Sequence, residues 1–298
     1  MTHVATLICN PAKPSLDTAT LHRARAALPA ANAAEWLDAG VAADIPFTPD
    51  GATDQRALTE AVRAALGGAA IDVVVQPLAH RRKRLFLADM DSTMIGQECI
   101  DELADHAGIK AHVAAITERA MRGEIAFEPA LRERVALLKG LPETVVDAVI
   151  RDRITLTPGG RALVQTMHRS GAYTCLVSGG FTPFTSRIAS LIGFDENRAN
   201  TLIVEQGRFA GTVAEPILGS AAKLDTLREL RATHGLDPRD VLAVGDGAND
   251  IPMLQEAGLG VAYRAKPKTA EAAAARIDHG DLTALLYMQG YRRAEFAE

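Results

Sequence analysis

The chain has 298 residues, 48% of them hydrophobic and 23% charged, with a formal net charge of −5. Such a composition supports a sizeable core and excludes wholesale disorder, and the length leaves room for one large domain with an insertion or a large domain plus a small one. The acidic balance excludes a nucleic-acid binder, which needs excess Lys and Arg to displace counterions, and no apolar run approaches the ~18 residues of a membrane span. Cys9, Cys99 and Cys175 lack metal-ligand spacing, and with no leader pattern at Met1–Val4 they imply reduced thiols in a cytoplasmic protein.

In chain order, residues 1–80 read as a small α/β domain. Apolar stretches at Val4–Cys9 and Ile71–Val75 flank two helical patterns, the clearer one carrying Leu58, Ala61, Val62, Ala65 and Leu66 before Gly67-Gly68 stops it. A short strand at Ala34–Leu37 holds Trp36, the only tryptophan, and the sum suggests a split β-α-β arrangement of ferredoxin type. The basic run Arg81-Arg82-Lys83-Arg84 precedes an apolar strand and reads as a solvated linker end. Residues 81–298 then change character. Leu85–Ala88, Tyr173–Val177, Val241–Val244 and Leu259–Ala262 are continuous apolar runs separated by helical patterns, which predicts an α/β fold with a doubly wound parallel sheet. More than 80 residues separate the first two of these strands, far beyond one crossover helix, so an inserted helical cap is expected over about 97–154. Thr201–Val204 and Phe209–Val213, around Glu205-Gln206-Gly207-Arg208, read as a hairpin.

Open α/β sheets bind ligands outside the carboxyl ends of their strands, and three of the four strands end in polar residues. The first runs into Asp89-Met90-Asp91-Ser92-Thr93; alone the acid pair is compatible with a surface turn, but after a buried strand it requires a cation or protons to offset the repulsion. The third ends in Gly245-Asp246-Gly247-Ala248-Asn249-Asp250, offering oxygens of the type magnesium favours. The second delivers Ser178-Gly179-Gly180 to a helix start, as an anion site or a simple N-cap. Lys223 falls near another helix start, where a cation opposes the macrodipole unless a phosphate is near. Taken together, the segments imply phosphoryl transfer through Asp89 as nucleophile, with Asp91 as proton donor and then base, Lys223, Ser178 and Gly179 on the phosphoryl oxygens, and Mg²⁺ as cofactor.

The four ordered segments resemble those of the haloacid dehalogenase superfamily across roughly residues 85–290 and, within it, the bacterial phosphoserine phosphatase family. The resemblance implies Mg²⁺ held by Asp89, Asp91 and Asp246, with Asn249 among the substrate-binding residues. It further implies O-phosphoserine as substrate, in the last step of serine biosynthesis, its ammonium held by Glu98 and its carboxylate by Arg134. Met121 and Phe127 match the apolar residues that close the cap. Arg134 also shares a helix face with Leu131 and Leu138, a half-apolar position suited to a carboxylate partner or to snorkelling over the cap's own surface. The N-terminal segment is similar in outline to amino-acid-sensing (ACT-like) modules, which makes a homodimer through it an expectation. A phosphatase for phosphohomoserine or a sugar phosphate, a phosphomutase and a non-catalytic sensor are the alternatives.

Overall fold

The structure is a computed structural model that describes residues 1–51, 54–121 and 124–297, with the Met121 side chain outside the described part. The N-terminal segment runs β1 (His3–Ile8), α1 (Thr18–Ala26), β2 (Glu35–Asp38), β3 (Ala42–Phe47), α2 (Gln55–Ala65) and β4 (Asp72–Pro77). Its strands form an antiparallel sheet in the order β2-β3-β1-β4. Alternation along the strands divides the two faces, as a period of two requires. Leu7, Ala43, Ile45, Val73 and Val75 pack with Leu21, Ala24 and Val62 of the helices, while Ile8, Ala42 and Val74 join the core shared with the C-terminal segment. Sequence reading missed β3 because Pro46 interrupts it; β2 pairs only with Ala42–Asp44, so Pro46 falls past the end of that ladder.

The larger unit begins with β5 (Leu85–Ala88), followed by α3 (Cys99–His106), α4 (Lys110–Met121), α5 (Phe127–Ala136) and α6 (Val145–Arg153). Next come α7 (Gly160–Arg169), β6 (Tyr173–Phe181), α8 (Thr182–Ile192), β7 (Glu196–Asn200) and the hairpin β8 (Leu202–Glu205) and β9 (Arg208–Val213). The chain closes through α9 (Ser220–Thr233), β10 (Val241–Gly245), α10 (Ile251–Glu256), β11 (Leu259–Tyr263), α11 (Pro267–Ala272), β12 (Ala275–Ile277) and α12 (Ala284–Met288). Six strands make a parallel sheet ordered β12-β11-β10-β5-β6-β7. Leu85 and Leu87 face Leu227, Leu230, Met253 and Leu254 on one side. Phe86 and Ala88 face Leu163, Met167, Phe184 and Ile188 on the other. Covering both faces explains why these strands read as unbroken apolar runs, and each large buried side chain contributes about 1.5–3 kcal/mol.

Two of the six strands escaped the sequence. β7 is Glu-Asn-Arg-Ala-Asn, an edge strand whose Arg198 pairs with Glu196 and Glu229. β12 is a three-residue edge. The basic run also departs from its reading as solvated linker. Arg81 turns inward to Asp44 at 2.6 Å, to Thr6 and to the carbonyls of Tyr287 and Met288. Lys83, buried, donates to the Arg239 carbonyl at 2.7 Å; Arg82, which reaches Glu295, and Arg84 are exposed, as the linker reading expects. Arg81 therefore stitches the N-terminal sheet to the C-terminal segment.

The helices α3–α6 stand on two linkers that zip together. Ile95 bridges Leu156, Gly96 N–H donates to Thr155, and the Gln97 amide exchanges bonds with Thr155. The hairpin docks on the same helices, through Gly140 N–H to the Phe209 carbonyl at 2.8 Å and Phe209 N–H to Leu141 at 2.9 Å.

Candidate active site

β5 and β10 are neighbours in register, with Ala88 opposite Val244, so the residues that follow them emerge side by side. Asp89 N–H still bonds the Val244 carbonyl at 3.0 Å, and the chain then makes one wide turn closed by Ile95 N–H on the Met90 carbonyl. Ser92 sits in the left-handed region at φ 55°, an uncommon conformation for a residue with a Cβ. Its hydroxyl donates to Glu98 Oε1 at 2.7 Å. On the β10 side, Gly245 is required by packing: a Cβ there would stand 2.4 Å from the Asp250 carboxyl carbon.

The carboxylates of Asp89, Asp246 and Asp250 converge, each offering an oxygen within 4.8 Å of the others. Lys223, in the first turn of α9, donates to Asp89 Oδ1 at 2.6 Å and to Asp250 Oδ1 at 2.5 Å, with all three side chains buried. Asp250 Oδ2 accepts the Gly247 N–H at 3.0 Å. Burial drives the Asp89 carboxyl well above the ordinary carboxylate range, against the pull of Lys223 and with a further push from Asp250. Burial would depress Lys223, but the Asp89 and Asp250 charges outweigh it and raise its pKa. Asp246 is pushed to about 6 by burial and then by Asp250. Three acids against one ammonium leave an excess of negative charge in a poorly solvated place, and the donors are all oxygen; both facts fit a hard divalent cation.

Asp91 lies beside this cluster, and its carboxylate is not one of the three. Asp91 Oδ1 accepts the Cys99 N–H at 3.1 Å, while Oδ2 lies near Gly180, where a Cβ would meet it at 3.2 Å. Burial, then the Glu98 charge, lift its carboxyl to about 7. Ser178, buried, accepts the Gly180 N–H on its hydroxyl at 2.9 Å. Asn249 is exposed in the turn before α10.

From the helical segment, Arg134 donates Nε–H to the Ala130 carbonyl one turn back. Burial lowers its basicity while the charges of Asp101 and Glu98 oppose that shift, which places it within electrostatic reach of both. Phe127 lies across to the sheet side: a side chain on Gly179 or Gly219 would meet its ring at 3.8 or 3.7 Å. Met121 ends α4, and its side chain lies outside the described residues. Sequence reading grouped Asp250 with the oxygen donors of its turn but missed it as the second partner of Lys223. It missed Ser92 as partner of Glu98 and Cys99 as partner of Asp91, although all three stand inside or next to the motif segments.

A parallel sheet with the nucleophile-type aspartate after its first strand and the acid-rich glycine turn after a neighbouring strand defines a class, and comparison agrees. A family profile described as haloacid dehalogenase-like hydrolase matches residues 86–255, more than half of the chain, so the chain belongs to that family. Among its relatives is the phosphoserine phosphatase of a Polaromonas species, 46% identical over 224 residues, which span 74% of this chain and 95% of the relative. The fold superimposes on an HAD family hydrolase of Salmonella enterica serovar Typhi with a TM-score of 0.85 at 28% identity, covering 96% of this chain and 98% of that one. It also superimposes on a probable phosphoserine phosphatase of Vibrio cholerae, unliganded, with a TM-score of 0.80 at 29% identity, covering 99% and 88%.

Proposed function

We propose that the chain is a Mg²⁺-dependent phosphoserine phosphatase that hydrolyses O-phospho-L-serine to serine and phosphate. The observation that carries the reading is the buried Asp89 carboxylate, held by Lys223 at one oxygen and flanked by Asp246 and Asp250. Asp91 supports it, a carboxyl lifted to about 7 at the edge of the same group. The similarity to phosphoserine phosphatases supports the substrate.

Asp89, Asp91 and Asp246 are the residues that would hold the ion, with Asp250 completing the acidic group through its bonds to Lys223 and Gly247. Bound there, Mg²⁺ offsets negative charge on the phosphoryl oxygens. With Lys223 on Oδ1, Asp89 attacks phosphorus through Oδ2, the bond from phosphorus to the serine oxygen breaks, and Asp91 gives its proton to that oxygen. Asp91, now ionised, takes a proton from water as the water oxygen attacks the aspartyl phosphate. Phosphate leaves and Asp89 is restored. Asp91 acts here as acid and base. Lys223 and the Ser178–Gly180 turn meet the equatorial oxygens.

Glu98 binds the substrate ammonium, Arg134 its carboxylate, and Asn249 the phosphoryl end. The helices over 97–154 act as a cap that Phe127 and Met121 help to close. Residues 1–80 form a ferredoxin-like, ACT-like domain beside the phosphatase domain of 81–298; its strand order is the support. A homodimer through that domain and a cytoplasmic setting complete the reading; among the described residues no helix is long and apolar enough to cross a membrane. A phosphate-release panel over phosphoserine, phosphothreonine, phosphohomoserine and sugar phosphates, with and without Mg²⁺, tests it. Preference for phosphoserine with Mg²⁺ is expected, and a preferred sugar phosphate would overturn the substrate assignment.

A further inference from the structure

Asn200 closes β7 and is 2% exposed. It pairs with Phe181 at the far end of the β6–β7 ladder, past the irregularity between Val177 and Phe181, which places its side chain between the end of β6 and the segment that leads into α9. Its amide nitrogen donates to the Gly179 carbonyl at 2.9 Å and to the Leu218 carbonyl at 3.1 Å. Its amide oxygen accepts the Leu218 N–H at 2.7 Å. Two carbonyls on one side and one N–H on the other leave a single amide orientation that satisfies all three.

Each segment leads into the chemistry. A trans peptide points the Gly179 carbonyl and the Gly180 N–H in opposite directions. Drawing the carbonyl toward Asn200 therefore turns the Gly180 N–H to the Ser178 hydroxyl, which it reaches at 2.9 Å, on the side where Asp91 Oδ2 lies. Leu218, pinned at both its N–H and its carbonyl, immediately precedes Gly219, the N-cap of α9. Lys223 follows in the first turn of that helix and reaches Asp89. The Phe127 ring stands over the same two segments, at Gly179 and Gly219.

We infer that Asn200 is a positioning residue: its buried amide sets the spacing between the Ser178–Gly180 turn and the Lys223 helix, and so the geometry in which a transferred phosphoryl group is held. The inference rests on the phosphatase reading above. A misplacement of this kind, without loss of any group that touches substrate, costs roughly 10²-fold in rate.

The test uses the full chain with Mg²⁺. Asn200→Ala removes all three bonds. Asn200→Asp keeps the shape and the bond from Leu218 N–H, but sets an oxygen against the two carbonyls. Both variants are assayed on phosphoserine and on an aryl phosphate, with inorganic phosphate as inhibitor and a thermal melt as folding control. Expected are kcat losses of similar factor on both substrates, weaker inhibition by phosphate and an unchanged ratio of the two KM values, because the amino-acid end of the site is untouched. An unchanged kcat in either folded variant, a loss confined to phosphoserine, or failure of both variants to fold would overturn the inference. Absence of phosphate release by the unsubstituted chain would instead overturn the phosphatase reading itself.

Discussion

Replacing Lys223 by Met removes the ammonium that Asp89 and Asp250 share. Its ammonium lies 2.6 Å from Asp89 and 2.5 Å from Asp250, and the three side chains are 3%, 8% and 0% exposed. At an effective dielectric constant of about 20, each contact corresponds to roughly 6 kcal/mol of attraction, most of it offset by the cost of desolvating the ions. Breaking such a group leaves two uncompensated acids, at a net cost of about 3–5 kcal/mol. For a chain of this size that lowers the melting temperature by roughly 10 °C. Without Lys223 the folded-state pKa of Asp89, already raised by burial, rises further, so the folded chain holds a proton that the unfolded chain has released. Stability then falls as pH rises, and the loss is larger at about pH 8 than at about pH 5. Urea titrations of Lys223→Met, Asp250→Asn and the double variant measure the coupling. Additivity within about 0.5 kcal/mol, or a pH-independent loss, would refute the reasoning.

Arg134→Ala is expected to raise KM for phosphoserine by roughly 10²-fold, the cost of removing one side of a partly buried charged contact, while sparing an aryl phosphate; steady-state kinetics on both substrates reads it. Asp91 and Asp246 are lifted to about 7 and about 6 in the folded state. Acids raised in this way destabilise the metal-free fold progressively as pH climbs from the ordinary carboxylate range to those values, so its melting temperature falls from about pH 4 to pH 7. Added Mg²⁺ raises the melting temperature through binding to the folded state, and chelation abolishes phosphate release until Mg²⁺ is restored.

How much of this was legible depended on burial and local order in the chain. β5 and β10 announced themselves because both faces of the sheet are covered, and each delivers its acid within a residue or so of the last apolar position. Asp89 and Asp246 are therefore legible in the sequence as neighbours at the strand ends, while Lys223 on α9 joins them only through the pattern of all four segments. β7 gave no such signal: an edge strand of Glu-Asn-Arg-Ala-Asn uses its polar side chains for pairing at the surface. Asn200 at its end was invisible for a different reason: its role arises from the end of β6 and the segment before α9, far apart in sequence, meeting around one buried amide. Arg81 misled in the opposite sense. Its place in a basic run suggests solvent, yet Asp44 and Thr6, both on the N-terminal sheet, give it a buried partner set that only the tertiary arrangement assembles.

The most direct measurement is to quench the chain in acid during turnover of phosphoserine with Mg²⁺ and map the phosphoryl group by peptide mass spectrometry. One phosphoryl group on the peptide containing Asp89, absent in Asp89→Asn, is the expected result. Phosphate release that proceeds with no chain-bound phosphoryl group, or with one on a different residue, contradicts the account.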